Sequence, residues 1–208
     1  VRVAEQFLLT RDEWDADQTA ILARVANEVG YPGLIKSPCQ GSSIGMAIPK
    51  DEAHFKKSLL DVFMYGDLVM VEKFVKGTEV TCAVLDVEDG KSPRALPVIE
   101  ICPVDSEFFD YHAKYTPGAC NEIVPARISA EATKKVQAVA ERVHHVIGCS
   151  GFSRSDMILD GDDPVWIEIN TIPGMTETSL YPQAAAAAGV SFSQMLTLFV
   201  EEALGRNS

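Results

Sequence analysis

Two short apolar runs, 155–159 and 165–169, are joined by Asp160-Gly161-Asp162-Asp163-Pro164, a cluster of turn-forming residues. This combination predicts a β-hairpin, and a hairpin restricts where its polar residues can point. Alternate residues of a strand share a face, so Arg154 groups with Asp156 and Glu168 with Asn170. Folding the hairpin can bring two carboxylates, an amide oxygen and a guanidinium onto one surface. Oxygen-only ligands of this kind suit magnesium, which commonly bridges protein carboxylates and nucleotide phosphates. The same residues also read as a solvated hairpin face with a surface ion pair.

The rest of the chain mixes helices with mainly antiparallel strands, an α+β pattern. Asp15 or Asp17 can cap a helix that buries Ile21, Leu22, Val25 and Val29 and ends at Gly30. A strand over 34–36 follows. A second helix begins near Asp51, carries Phe55, Leu59, Leu60 and Phe63 at helical spacing, and stops at Gly66. Residues 68–75 read as a buried strand that Lys76-Gly77 interrupts, with further strands expected over 79–86 and 95–101. Residues 102–121 are aperiodic, and loops of that length are often functional. Ser129 caps a long helix with Val136, Val139, Ala140, Val143 and Ile147 inward, ending at Gly148. Beyond the hairpin, helices are expected over 181–188 and 191–204, the last with Phe192, Met195, Leu196, Phe199 and Val200 on its apolar side. The region 75–77 is the best domain boundary, giving a smaller lobe over 1–75 and a larger one over 76–208.

The formal charge of −12 leaves no basic footprint for nucleic acid or an anionic membrane. A phosphate-bearing ligand would need locally concentrated Lys, Arg and metal. The 208 residues are 47% apolar and 23% charged, ordinary for a folded soluble protein. Five scattered cysteines (Cys39, Cys82, Cys102, Cys120, Cys149), with no close pair at zinc spacing, fit a reduced cytoplasmic setting. No signal peptide or membrane-spanning run is visible. Val1-Arg2-Val3-Ala4 lacks an initiator Met and opens in what reads as mid-strand, so a fragment is expected.

Several further elements can carry chemistry. Gly41-Ser42-Ser43-Ile44-Gly45 follows a strand containing Lys36 and can expose backbone N–H groups and hydroxyls to phosphate oxygens; it also reads as a hairpin turn. Glu72-Lys73 interrupts an apolar strand. The pair reads either as an edge strand with a solvated face or as a hinge that hydrogen-bonds a base, with Glu79 beyond it able to accept from ribose hydroxyls. Lys114-Tyr115 lies in the long aperiodic segment, where a Lys can close over a phosphate, or serve as ordinary surface. His144 and His145 have no ligand partner at a useful spacing and read as structural. Cys39 adjoins the Gly/Ser loop, but nothing marks it as a nucleophile.

Order and spacing together say more than any single element. The series Lys36, Gly41-Ser42-Ser43-Ile44-Gly45, Glu72-Lys73, Glu79, Lys114-Tyr115, Arg154-Ser155-Asp156, Glu168-Ile169-Asn170, Pro173-Gly174-Met175-Thr176 and Ser179-Leu180 resembles the D-alanine–D-alanine ligases. These are ATP-grasp enzymes of bacterial peptidoglycan synthesis. The resemblance implies an ATP-grasp fold of two α+β lobes gripping ATP. It implies that Lys36, Lys73, Glu72, the Val75 backbone and Glu79 contact the nucleotide, with Lys114 reaching the phosphates. Asp156, Glu168 and Asn170 would hold two Mg²⁺ ions, with Mn²⁺ as a substitute. Arg154 and the Gly174 backbone would stabilise a tetrahedral oxyanion. Ser179 and the Leu180 backbone would hold the carboxylate of the second D-alanine, and Ser42 and Tyr115 would orient substrate and lock the closed loop. The reaction implied is ATP-dependent joining of two D-alanines through D-alanyl phosphate, in a cytoplasmic homodimer.

The sequence departs from that pattern at Ser37, which stands between Lys36 and Pro38 where the family has Pro directly. The family also has an additional N-terminal domain, and this chain resembles only the ATP-grasp portion. The chain alone is therefore expected to be weak or inactive. The Lys-Tyr pair favours dipeptide formation over the D-lactate ligases, which use a His there. A non-catalytic nucleotide-binding module and an ATP-grasp ligase with another acceptor are the competing readings.

Overall fold

The computed structural model describes residues 1–41, 43–86, 93–103, 120–176 and 178–205. They fall into two compact units, one built on Ala4–Val75 and the other on Val1–Val3 together with the segments that follow Lys76 and Cys120.

The first unit is a four-stranded antiparallel sheet, in the order β1-β4-β2-β3, with helices on one face. Its strands are β1 (Gln6–Thr10), β2 (Gly33–Lys36), β3 (Met46–Ala47) and β4 (Leu68–Lys73). Strand β1 leads into α1 (Arg11–Ala16), whose first turn is closed by a capping box between Thr10 and Glu13. Asp17 caps α2 (Gln18–Arg24), which runs on into a π-helical turn, Val25–Val29, ending at Gly30 with φ 77°. Of the two caps expected, Asp15 or Asp17, it is Asp17 that bounds this helix, and the short α1 before it was not expected. Asp51 caps α3 (Glu52–Val62) by accepting from the His54 N–H at 2.8 Å.

Alternation sets the two faces of the sheet. Phe7, Leu9, Ile35, Val69 and Val71 pack against Trp14, Val25, Phe55 and Leu59 in one core. The intervening residues, including Lys36 and Glu72, stand on the opposite face. Leu60, expected inward, is 54% exposed, because the core face of α3 follows Phe55, Leu59 and Val62 instead. Strand β4 lies between β1 and β2, so the edge-strand reading of Glu72-Lys73 does not hold.

The second unit holds a six-stranded antiparallel sheet. Its main path runs β10-β9-β5-β7-β8, and β6 pairs with β5. The strands are β5 (Thr78–Asp86), β6 (Arg94–Ala95), β7 (Ile99–Pro103), β8 (Cys120–Ile123), β9 (Gly151–Asp160) and β10 (Asp163–Asn170). The single strand expected over 95–101 is two strands, interrupted around Pro97, which cannot donate to a ladder.

Helix α4 (Ala130–Ile147) starts at Ser129 and ends at Gly148 in the left-handed region. Its Ala132, Val136 and Ala140 pack on Val80, Cys82, Val84, Met157 and Leu159, the core of this unit. Ile147, expected inward, is 55% exposed, and His144 takes the buried position in the last turn. His144 Nδ1 lies 2.8 Å from Ser153 Oγ and its Nε2 lies 3.3 Å from Asp86 Oδ2, a structural tie between α4 and two strands.

Two helices close the chain, α5 (Leu180–Ala187) and α6 (Phe192–Gly205). Phe152 and Phe199 stack with centroids 4.3 Å apart, and Tyr181 packs against both. Met195 is buried, but Phe192, Leu196 and Val200 are exposed, so the core side of α6 is narrower than its apolar pattern. Among the described residues no single helix is long and apolar enough to cross a membrane.

Candidate functional site

The hairpin β9–β10 turns at Gly161-Asp162, with Gly161 at φ 63°. Asp160 faces Asp163, and the register continues regularly as far as Trp166 opposite Met157. Continued without interruption, that register would set Ile167 opposite Asp156. Glu168 and Asn170 would then face α4 and the core. A β-bulge between Trp166 and Glu168 absorbs Ile167, so that Glu168 lies opposite Asp156 and Asn170 opposite Arg154. The bulge is the local device that gathers the four polar side chains on the face away from α4.

Their geometry is tight. Arg154 donates to Asp156 through Nε at 3.0 Å and Nη2 at 2.9 Å, a two-bond guanidinium–carboxylate pair. The Asn170 amide nitrogen lies 3.2 Å from Asp156 Oδ2 and 3.4 Å from Glu168 Oε1. Both carboxylates therefore direct an oxygen at one point. Arg154 and Asp156 each have only 16% of their side-chain surface exposed. Burial works against the Arg154 charge, but Asp156, Glu168 and Glu122 outweigh it and raise its pKa above the ordinary arginine value.

The donor set is two carboxylates and an amide, all able to offer oxygen, and no group of three His, Cys, Asp or Glu side chains competes among the described residues. Turning the Asn170 amide over presents its carbonyl oxygen where its nitrogen now stands. The residues thus fit a hard divalent cation such as magnesium.

The loop after β10 leads to a second polar cluster in the same unit. Ser179 Oγ accepts from the Thr176 N–H at 3.0 Å and lies 2.7 Å from Thr176 Oγ1. A Cβ on Gly174 would stand 2.8 Å from Ser179 Oγ, so a side chain there would make the Ser179 hydroxyl move. Ser179 precedes α5 without spending its side chain on that helix, and Leu180 is the first residue of α5. Glu79 sits on β5, opposite Ile158 and Ile101.

In the other unit, Lys36 Nζ lies 2.9 Å from Glu72 Oε2, with 24% and 15% of the side-chain surfaces exposed. Lys73 points the other way and pairs with Glu5 at 3.1 Å in an exposed bridge. Val75 follows β4, half-buried. The Gly/Ser loop closes with Ile44 N–H on the Gly41 carbonyl at 3.1 Å, and Ser43 takes φ 60°. Ser42, Lys114 and Tyr115 lie outside the described residues.

Sequence reasoning passed over one participant. Thr81, on β5, donates its hydroxyl to Asp156 Oδ1 at 2.6 Å. Its only sequence signal is a hydroxyl two residues after Glu79, hence on the same strand face.

The chain matches the family described as D-ala D-ala ligase C-terminus over residues 1–201. It is 46% identical to a D-alanine–D-alanine ligase of Syntrophobacter fumaroxidans, over 88% of this chain and 58% of that protein. Among solved structures, it matches the VanG D-Ala:D-Ser ligase of Enterococcus faecalis at 36% identity and a TM-score of 0.79, over 96% of this chain and 56% of that one. It also matches a D-alanine–D-alanine ligase of Bacillus anthracis complexed with ATP, at 31% identity and a TM-score of 0.74, over 98% of this chain and 62% of that one. The chain therefore spans about three fifths of the length of these relatives.

Proposed function

The chain belongs to the D-alanine–D-alanine ligase C-terminal family and has the ATP-grasp fold, and from that premise we propose that it carries the nucleotide and metal chemistry of an ATP-dependent D-alanine–D-alanine ligase. The observation that supports this most is the convergence of Asp156 and Glu168 on the Asn170 amide, at 3.2 and 3.4 Å. Asp156, Glu168 and Asn170 would hold the Mg²⁺ ions. A magnesium ion bound there supplies charge neutralisation to the phosphoryl group being transferred.

In the proposed reaction, the carboxylate of one D-alanine attacks the γ-phosphorus of ATP. An acyl phosphate forms and ADP leaves. The amine of a second D-alanine then attacks the acyl carbon, and phosphate leaves as the dipeptide forms. Arg154, freed from Asp156, neutralises the oxyanion together with the Gly174 backbone N–H, an electrostatic role worth several kcal/mol in comparable sites. Ser179 and the backbone of Leu180 hold the second substrate's carboxylate, which the N-terminus of α5 favours. Lys36, Glu72, Lys73, Val75 and Glu79 contact the nucleotide, with Lys114 on its phosphates and Ser42 and Tyr115 at the substrate. The two lobes of this account are residues 1–75 and 76–208. An N-terminal domain, homodimerisation and a bacterial cytoplasmic setting belong to the same proposal.

A second reading keeps the chemistry and changes the acceptor, because one matched structure is a D-Ala:D-Ser ligase. ADP release and mass-spectrometric product analysis on the protein with the proposed N-terminal domain included, with D-alanine alone or with added D-serine or D-lactate, test both. D-Alanyl-D-alanine as the main product is the expected result. A preference for D-serine or D-lactate supports the second reading, and no acceptor-dependent ADP release contradicts both.

A further inference from the structure

We propose that Thr81 positions the Asp156 carboxylate for its cation, binding Oδ1 to the protein and leaving Oδ2 to face the metal; this rests on the metal reading of the hairpin. Thr81 lies directly across from Asp156 in the β5–β9 ladder, and Asp156 lies directly across from Glu168 in the β9–β10 ladder. Three neighbouring strands thus set a hydroxyl, a carboxylate and a second carboxylate in one row. The Thr81 hydroxyl is 2.6 Å from Asp156 Oδ1 and 3.2 Å from the Ser155 carbonyl oxygen. The shorter distance is that of a charge-assisted O–H···O⁻ bond, so the single hydroxyl proton belongs to the carboxylate.

Asp156 is saturated with donors. Oδ1 accepts from Thr81 and from Arg154 Nε, and Oδ2 accepts from Arg154 Nη2 and Asn170 Nδ2. A carboxylate offers about four lone-pair sites. A cation can enter only where a donor leaves, and the donors differ in their freedom to do so. Asn170 can turn its amide over and become a ligand itself. Arg154 has a long side chain and a role on the reacting group. Thr81 is 2% exposed and β-branched, with only the Ser155 carbonyl as another acceptor among the described residues, so it stays. Both donors on Oδ2 are able to leave, whereas Oδ1 keeps Thr81. The hydroxyl therefore fixes the rotation of the carboxylate and selects the oxygen that meets the cation. Outer partners of this kind commonly set metal affinity.

The test is Mn²⁺ binding in the presence of ADP, followed by the paramagnetic resonance of free Mn²⁺, with melting temperature as a check on folding. Thr81→Val keeps the shape and removes the donor; Thr81→Ala serves if the valine variant does not fold. The expected result is a loss of Mn²⁺ affinity of about 10- to 100-fold, restored in Thr81→Ser, with the melting temperature unchanged. Asp156→Asn is the control for the underlying reading. If Asp156→Asn loses Mn²⁺ while Thr81→Val binds as tightly as wild type, the Thr81 proposal falls and the metal site stands. The same holds if Thr81→Ser is as weak as Thr81→Val, because the hydroxyl is then not the cause. If Asp156→Asn binds Mn²⁺ like wild type, the metal reading falls and takes the Thr81 proposal with it.

Discussion

At the scale of single residues, the carboxylates of the larger unit show how environment divides similar groups between different roles. Asp156 is shared between the fixed Thr81 hydroxyl and two donors able to leave, whereas Glu100 is locked. Arg127 donates to Glu100 through Nε at 2.9 Å, Nη2 at 2.7 Å and its backbone N–H at 3.0 Å. The guanidinium bonds outweigh burial and pull the Glu100 pKa from 4.5 to about 2. A carboxyl whose folded pKa is depressed stabilises the fold above its unfolded pKa and loses that contribution as pH falls. For Glu100 the loss runs from about pH 4.5 down to about pH 2. Glu100→Gln is expected to be less stable than wild type at pH 7, with the gap closing toward pH 2.5. Urea unfolding at the two pH values checks this; a gap independent of pH contradicts the assignment. Arg154, Asp156, Glu168 and Asn170 were legible in the sequence because charges at the end of an apolar hairpin stand out. Thr81 was not, because threonine is an ordinary strand residue and its partner is remote in sequence.

At the scale of elements, caps and breakers were readable: Asp51, Ser129, Gly30 and Gly148 all bound helices where their chemistry requires. The β-bulge at Ile167 was not readable, because nothing in Trp166-Ile167-Glu168 distinguishes it from regular alternation; it exists because the regular register would bury Glu168 against α4. The exposed stripe of α6 misled for the opposite reason, since apolar spacing gives a candidate face but not what covers it. A glycine in the connection to β5 is more decisive. A Cβ on Gly77 would stand 1.9 Å from the Leu159 carbonyl oxygen, a backbone atom with no rotamer to escape by. Gly77→Ala must therefore push β5 and β9 apart at the end of their pairing. A destabilisation of at least about 1–3 kcal/mol is expected in denaturant unfolding, and a variant as stable as wild type would refute the close approach.

At the scale of the whole molecule, two units each combine a helix-covered sheet face with an opposite face that carries the candidate polar groups. The first offers the Lys36–Glu72 pair, and the second the Asp156–Glu168–Asn170 set. The chain spans about three fifths of its relatives' length, so the most direct question concerns ligand binding by these residues. That question is answered by calorimetric titration of the chain with ADP, with and without Mg²⁺, in wild type and Glu168→Gln. The account predicts saturable binding that requires Mg²⁺ and is lost in Glu168→Gln while the melting temperature is retained. Binding that is indifferent to Mg²⁺ and to Glu168, or no binding by the wild-type chain, would contradict it.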